Sequence, residues 1–420
     1  MLGIIRDYRK LEKSILNLIC AEFFIQLINA SFLSIQLIYM QKCGYSDYES
    51  AGFVSFRFLG VLLFALPLGL FIKSRSIKPF FYLSCLTVPL TALMIIYATW
   101  NHLDGLLYIA QFLWGISFTF IQIPIMPYIL RNAKKETQTE AIALSYSTYS
   151  FAGIISGLLI YVLNTINPLL FDEKLILEII AISGFASAYF IHRAKMVDHV
   201  KMESKTKHSY SLKEYNWNLI FKSLFPTLII AVGAGLTIPF ISIFFFNVHH
   251  LDTNHFSIIS SAAAVLVAMA AILVPKVKRE IGYKIAIPTT QFFAVLALVL
   301  LATTQLYSQM HIAIYIAVGC FMLRQPLMNM AGPMTSDIVM NYVGHKNREI
   351  VSALTAAIWS GSWFVSSIIF KVLRERDIPY VEVFLITALL YGIGVVMYYF
   401  LILDYNKRER LGMIIDDKVD

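Results

Sequence analysis

The chain has 420 residues, 58% of them hydrophobic and only 14% charged. That composition is too apolar for a soluble domain of this length. The formal net charge of +8 follows the gaps between apolar stretches, so it reports membrane topology and excludes nucleic acid as a partner.

Twelve apolar stretches are predicted as membrane-spanning helices, at residues 14–40, 49–72, 79–100, 105–130, 140–164, 174–192, 219–247, 256–276, 284–305, 311–335, 349–373 and 380–404. Each has about 20 residues or more, enough to cross the roughly 30 Å hydrocarbon core. Helices are required there because no water is present to satisfy exposed backbone groups.

The first stretch is too long for a signal-peptide core and has no small-residue cleavage site after it, so it reads as a retained helix. It carries Glu22, with Gln26 and Asn29 four and seven residues on, which places all three on one helical face. A charge inside a span costs roughly 2.5–3.5 kcal/mol on insertion scales. Glu22 is therefore a candidate for proton coupling, with Gln26 and Asn29 as candidate substrate contacts; a structural, hydrogen-bonded glutamate is the competing reading. Arg57, in the outer half of the second stretch, is the next embedded charge.

The fourth stretch contains Gln111, Gly115 and Pro127, and the fifth contains Tyr146, Tyr149 and the pair Gly153 and Gly157. The spacing of that pair permits close helix packing. The polar segment 193–217 then divides the chain into a six-helix part at 1–192 and another at 218–420 with a cytoplasmic tail. Its basic character suits either a segment lying along an anionic leaflet or a plain solvated linker.

Gly233, Gly235 and Pro239 interrupt the seventh stretch. His249, His250, Asp252 and His255 crowd the following outer loop, where a solvated loop is favoured over a metal site. The tenth stretch carries Arg324, Gln325, Pro326, Asn329 and Pro333. Its prolines remove backbone donors and are expected to bend or loosen the helix. Trp359 and Trp363 in the eleventh stretch occupy a region corresponding to Tyr146 and Tyr149. Tyr149, Trp359 and Trp363 are candidate cavity-lining aromatics, with simple packing as the alternative. Four cysteines give no disulfide or metal pattern and read as packing residues; no cofactor is expected.

Of the 34 lysines and arginines, 26 fall in the amino terminus, the even-to-odd gaps and the carboxyl tail, five in the opposite gaps, and three (Arg57, Lys222 and Arg324) within spans. This bias places both termini in the cytoplasm. The two halves also resemble each other. Ala143, Leu144 and Ser145 match Ala353, Leu354 and Thr355, Val162 and Leu163 match Val372 and Leu373, and Pro127 answers Pro333. The expected fold class is therefore all-α, a polytopic membrane protein with 12 transmembrane helices in two pseudo-symmetric six-helix bundles. In such duplicated bundles a binding site lies between the halves near the midplane.

With Pro67, Leu68 and Gly69 leading into FIKSRSIK, and Pro275 leading into KVKREIGYK with Gly282 and Lys284, the chain resembles the major facilitator superfamily over essentially its whole length. Lys73 stands where that family usually has an acidic residue, and Ser76 replaces its second glycine. The resemblance implies that Gly69, Lys73, Arg75, Pro239, Gly282 and Pro333 serve conformational change. Two features of the family's proton-linked drug exporters are missing. Gln111 stands in place of an arginine four residues before Gly115, and no Gly-Pro pair follows in the fifth span.

These readings imply a secondary active transporter, symporter or antiporter, that moves a small solute across the cell's inner membrane by alternating access, coupled to H+ and monomeric. Arg57 and Arg324, with Gln325 and Asn329, favour a polar or anionic organic substrate, because guanidinium binds carboxylate or phosphate in a bidentate fork. The alternative pairs each arginine with a protein carboxylate, one of them with Glu22, or with backbone carbonyls. Export of hydrophobic drugs is the rival function, and an intramembrane enzyme or non-transporting sensor is the remote one. No nucleotide-binding loop points to ATP-driven transport.

Overall fold

A computed structural model describes residues 11–72, 75–134, 137–194, 215–344 and 347–411. Among them there is no strand, and twelve helices are long and apolar enough to cross a membrane. These are α1 (Lys13–Lys42), α2 (Asp47–Ile72), α3 (Lys78–Trp100), α4 (Asp104–Ile129), α5 (Glu140–Ile166), α6 (Glu173–Arg193), α7 (Trp217–His249), α8 (Thr253–Val274), α9 (Tyr283–Tyr307), α10 (His311–Val343), α11 (Ile350–Glu375) and α12 (Tyr380–Arg410). Most of segment 193–217, together with Lys73, lies outside the described residues.

Local chemistry sets where the helices begin and break. Asp172 caps α6 by accepting a hydrogen bond from the Leu175 amide at 2.8 Å. Gly282 enters α9 with φ +72°, a conformation that disfavours any side chain with a Cβ. In α7 the helix tightens into a 3₁₀ turn over Ile238–Phe240, at Pro239, because proline lacks the N–H that α-helical bonding needs. The α4 helix is interrupted at Ile123 and Pro124, between Asp104–Gln122 and Ile125–Asn132; Pro127 lies beyond that break. By contrast, α10 runs unbroken through Pro326 and Pro333, so the expected loosening does not interrupt its helix. It also continues eight residues past the sequence boundary at 335, to Val343.

The chain forms two compact units. One holds Met1–Thr206 with His250–Ser261, the other Lys207–His249 with Ala262–Asp420. In the first unit α1 packs on α5 and α6, α3 on α4 and α6, and α2 on α4; in the second, α7 packs on α11 and α12, and α9 on α10 and α12. The pairing of α1 with α5 and α6 is thus repeated by α7 with α11 and α12, which is the internal duplication seen in three dimensions.

Buried hydroxyls tie these pairs. Ser31 and Ser156 meet at 2.7 Å between α1 and α5. Ser366 donates to the Val232 carbonyl at 2.7 Å between α11 and α7. Gly157 on α5 packs within the first unit against residues 250–261, where an added Cβ would crowd the Ser257 carbonyl. That close approach is what the Gly153 and Gly157 spacing predicts.

Candidate functional site

Glu22 is 7% exposed, and its Oε2 accepts a hydrogen bond from Ser145 Oγ on α5 at 2.8 Å. Within this unit Arg57 does not pair with it; its hydrogen bonds go to Gln36 and Gln111 instead. Gln26 and Asn29, both half-buried, share its face and are joined by Asn29 Nδ2 donating to Gln26 Oε1 at 3.4 Å. Tyr149, on α5, is half exposed.

Arg57 lies in the same unit and is as buried as Glu22, 8% exposed. Its Nη2 donates to Gln36 Oε1 on α1 at 2.5 Å and its Nε to Gln111 Oε1 on α4 at 3.3 Å. Its guanidinium lies 4.6 Å from the centre of the Trp114 ring, which in turn contacts Phe32. Among the described residues no carboxylate pairs with it. Backbone contact positions it: a Cβ on Gly115 would strike the Arg57 carbonyl, and one on Gly60 the Phe112 carbonyl. Glycine at both positions lets α2 and α4 touch main chain to main chain.

The second unit holds a comparable arginine. Arg324 is 1% exposed, and its Nη2 donates to the Tyr391 hydroxyl on α12 at 3.2 Å. Its Nε and Nη1 are buried without an acceptor. Again no described carboxylate faces it. Gln325 is half-buried, and the exposed Asn329 turns its amide back onto the Gln325 carbonyl at 2.8 Å.

Also within this unit is a cavity of about 290 Å³ walled by α7, α9, α10, α11 and α12, and Trp359 lines it. Trp363 instead packs beside Gly235, whose added Cβ would come within 3.0 Å of the Trp363 Cα. Lys222 pairs with Asp404 at 2.8 Å, and His249 Nε2 lies 2.9 Å from Thr304 Oγ1.

At the loop ends, Arg131 caps α2 by donating to the Ile72 and Arg75 carbonyls at 3.2 and 3.5 Å, while the Arg75 guanidinium covers the Phe71 ring at 4.0 Å. Gly69 has only ordinary contact room, with Ile123 Cγ2 at 3.9 Å from an added Cβ. Lys278, in the last turn of the helix that continues α8 to Ile281, meets Asp337 at 2.5 Å, and Tyr283 donates to the same carboxylate. That carboxylate and phenol hold the Lys278 ammonium above the ordinary lysine range.

The Major Facilitator Superfamily model matches residues 2–157. The nucleoside transporter NupG superposes with a TM-score of 0.73 at 13% identity, covering 92% of this chain and 99% of its own. In sequence the likeness to that superfamily covers residues 2–157, and the similar structure shows that the chain shares its fold. Two further structures agree with that fold. The POT family transporter PepTSo has a TM-score of 0.72 at 11% identity, with 94% and 98% coverage. A D-xylose-proton symporter has a TM-score of 0.70 at 12% identity, with 92% and 95% coverage. No curated protein matches the sequence.

The chain places twelve helices long and apolar enough to cross a membrane in the fold of these transporters. Gln111, which stands where the resemblance leads one to expect an arginine, accepts a hydrogen bond from Arg57 on α2. Gln36, Gln111, Trp114 and Tyr391 were not flagged as site residues by the sequence. The one available signal was Gln111 at its fixed distance from Gly115.

Proposed function

We propose that the protein is a secondary transporter that carries a small polar or anionic organic solute by alternating access, coupled to protons through Glu22. The observation that supports this most is the pair of buried arginines without a described carboxylate partner. A buried charge left uncompensated is costly, and a guanidinium retains its charge at any relevant pH. An anionic solute supplies the missing compensation and the acceptors that Arg324 Nε and Nη1 lack. Glu22, bonded to a neutral hydroxyl and not to a cation, is free to gain and lose a proton without breaking an ion pair. Both symport and antiport fit this arrangement. The distribution of basic residues supports cytoplasmic termini in the cell's inner membrane, with the monomer as working unit.

The test is a thermal-shift screen of detergent-purified protein against organic anions, sugars, amino acids, nucleosides and lipophilic cations. A ligand at a hundredfold excess over its Kd stabilises by about 2.7 kcal/mol. Stabilisation by an organic anion that disappears in Arg57→Gln or Arg324→Gln is the expected result. Stabilisation by lipophilic cations alone would replace this reading with export of hydrophobic compounds, which Met328, Met340 and Trp359 in the second-unit cavity favour.

A further inference from the structure

The cavity in the second unit has chemistry unlike that of the arginines. None of its lining residues carries a formal charge, and Arg324 is not among them. It lies toward the end of the unit where α10 finishes and α11 begins, its α10 wall running from Met328 to Met340. Gln291 on α9 lines it, is 3% exposed, and has its Oε1 buried without a hydrogen-bond partner. A buried amide left unpaired is costly, because its lost hydration is not replaced. A glutamine amide can be turned either way, so the group that satisfies it in both orientations is a hydroxyl, which donates and accepts.

The other polar walls point the same way. Thr335 Oγ1 donates to the Gly332 carbonyl at 2.9 Å and Thr355 Oγ1 to the Val351 carbonyl at 2.8 Å. Their protons are thereby committed to backbone, which leaves the Thr355 lone pairs as acceptors, while the Thr335 oxygen also meets the Tyr398 hydroxyl. The Thr227 and Tyr398 hydroxyls are bonded to each other at 2.8 Å. An acceptor-rich wall facing Met328 and Trp359 calls for a ligand with hydroxyl donors on one side and an apolar or aromatic body on the other. A carboxylate or phosphate would find no cation here, and its desolvation would go uncompensated.

We propose that this cavity is a second ligand site, separate from Arg324, that binds an uncharged hydroxyl-bearing organic molecule with an apolar body. It does not depend on the anion-transport reading. The cavity is open along one wall: Gly332, which lines it, is exposed, and an added Cβ there meets nothing within 4 Å.

The test compares 2-phenylethanol with its methyl ether, which has the same body but no donor, by thermal shift and by ligand-observed NMR on the full-length purified protein. The expected result is that the alcohol binds and stabilises, and that the ether binds roughly tenfold more weakly, as one lost hydrogen bond requires. Gln291→Leu should lose that preference, and it should fold, since it removes a buried unpaired polar group. Gly332→Leu, which fills the cavity from an open position, should abolish binding, whereas Arg324→Gln should leave it intact. Equal effects of alcohol and ether, no binding of either, or binding that survives Gly332→Leu would each overturn the proposal and leave micelle partitioning or a water-filled void. Loss of the alcohol site with anion binding unaffected separates its failure from that of the transport reading.

Discussion

Arg324 places stability and function in opposition. A guanidinium with two buried, acceptor-free nitrogens is held at a cost, because breaking its hydration is repaid only by the Tyr391 hydroxyl and ring. Arg324→Gln should therefore raise the Tm of ligand-free protein while weakening anion affinity by roughly tenfold to a hundredfold, the range for a lost charge-assisted hydrogen bond. A fall in Tm would show that the charge is satisfied without a ligand. Glu22 yields a different expectation. Glu22→Gln keeps an oxygen to accept from Ser145 but cannot ionise. Uptake driven by a pH gradient in proteoliposomes should be lost while thermal-shift binding of the solute persists; unchanged gradient-driven flux would remove Glu22 from the coupling path. Glu22, Arg57 and Arg324 were legible in the sequence because a charge within an apolar span is expensive. Their partners Gln36, Gln111, Ser145 and Tyr391 were not, since a neutral polar residue in a span is common and its choice of neighbour is fixed only by packing.

Between elements, the touching backbones of α2 and α4 are the contact that positions Arg57. Gly115→Val inserts a branched side chain where even a Cβ meets the Arg57 carbonyl. It should cost about 1–3 kcal/mol, the usual penalty of overpacking, and it should reduce anion binding by moving Arg57 off Gln111. Gly69→Ala meets only Ile123 Cγ2 at 3.9 Å, so its Tm should be near that of the parent even though the superfamily resemblance singles it out. Equal Tm losses in the two variants would contradict this reading of the packing. Element boundaries follow the same physics. The end of α10 reads as loop in sequence because Asp337, Asn341 and Tyr342 are polar, yet each has a partner that keeps it helical: Lys278 and Tyr283 for Asp337, Asp337 for Asn341, and Asp404 for Tyr342. Except for the Asp337–Asn341 pair, which lies within α10, these partners come from other helices, so hydropathy along one segment cannot reveal them.

For the molecule as a whole, helix number and class were legible because span length is dictated by the bilayer and the basic residues by its potential. Orientation is the remaining global property, and Cys43 reports it. Cys43 lies just past α1, in the gap between α1 and α2, and is half-buried. Cys20, Cys85 and Cys320 all sit within helices that span the membrane. A membrane-impermeant maleimide added to intact cells should therefore label the protein at Cys43 if the termini are cytoplasmic, and Cys43→Ser should remove the signal. Labelling that requires permeabilised cells would invert the topology. The pH dependence serves as an internal check, because the thiolate is the reactive species. Burial pushes the Cys43 thiol above its ordinary value, outweighing the lowering by Tyr39 and Lys174. A raised pKa means a smaller thiolate fraction at neutral pH, so labelling should be slow at pH 7 and still be accelerating at pH 9, where an ordinary exposed thiol is already largely ionised.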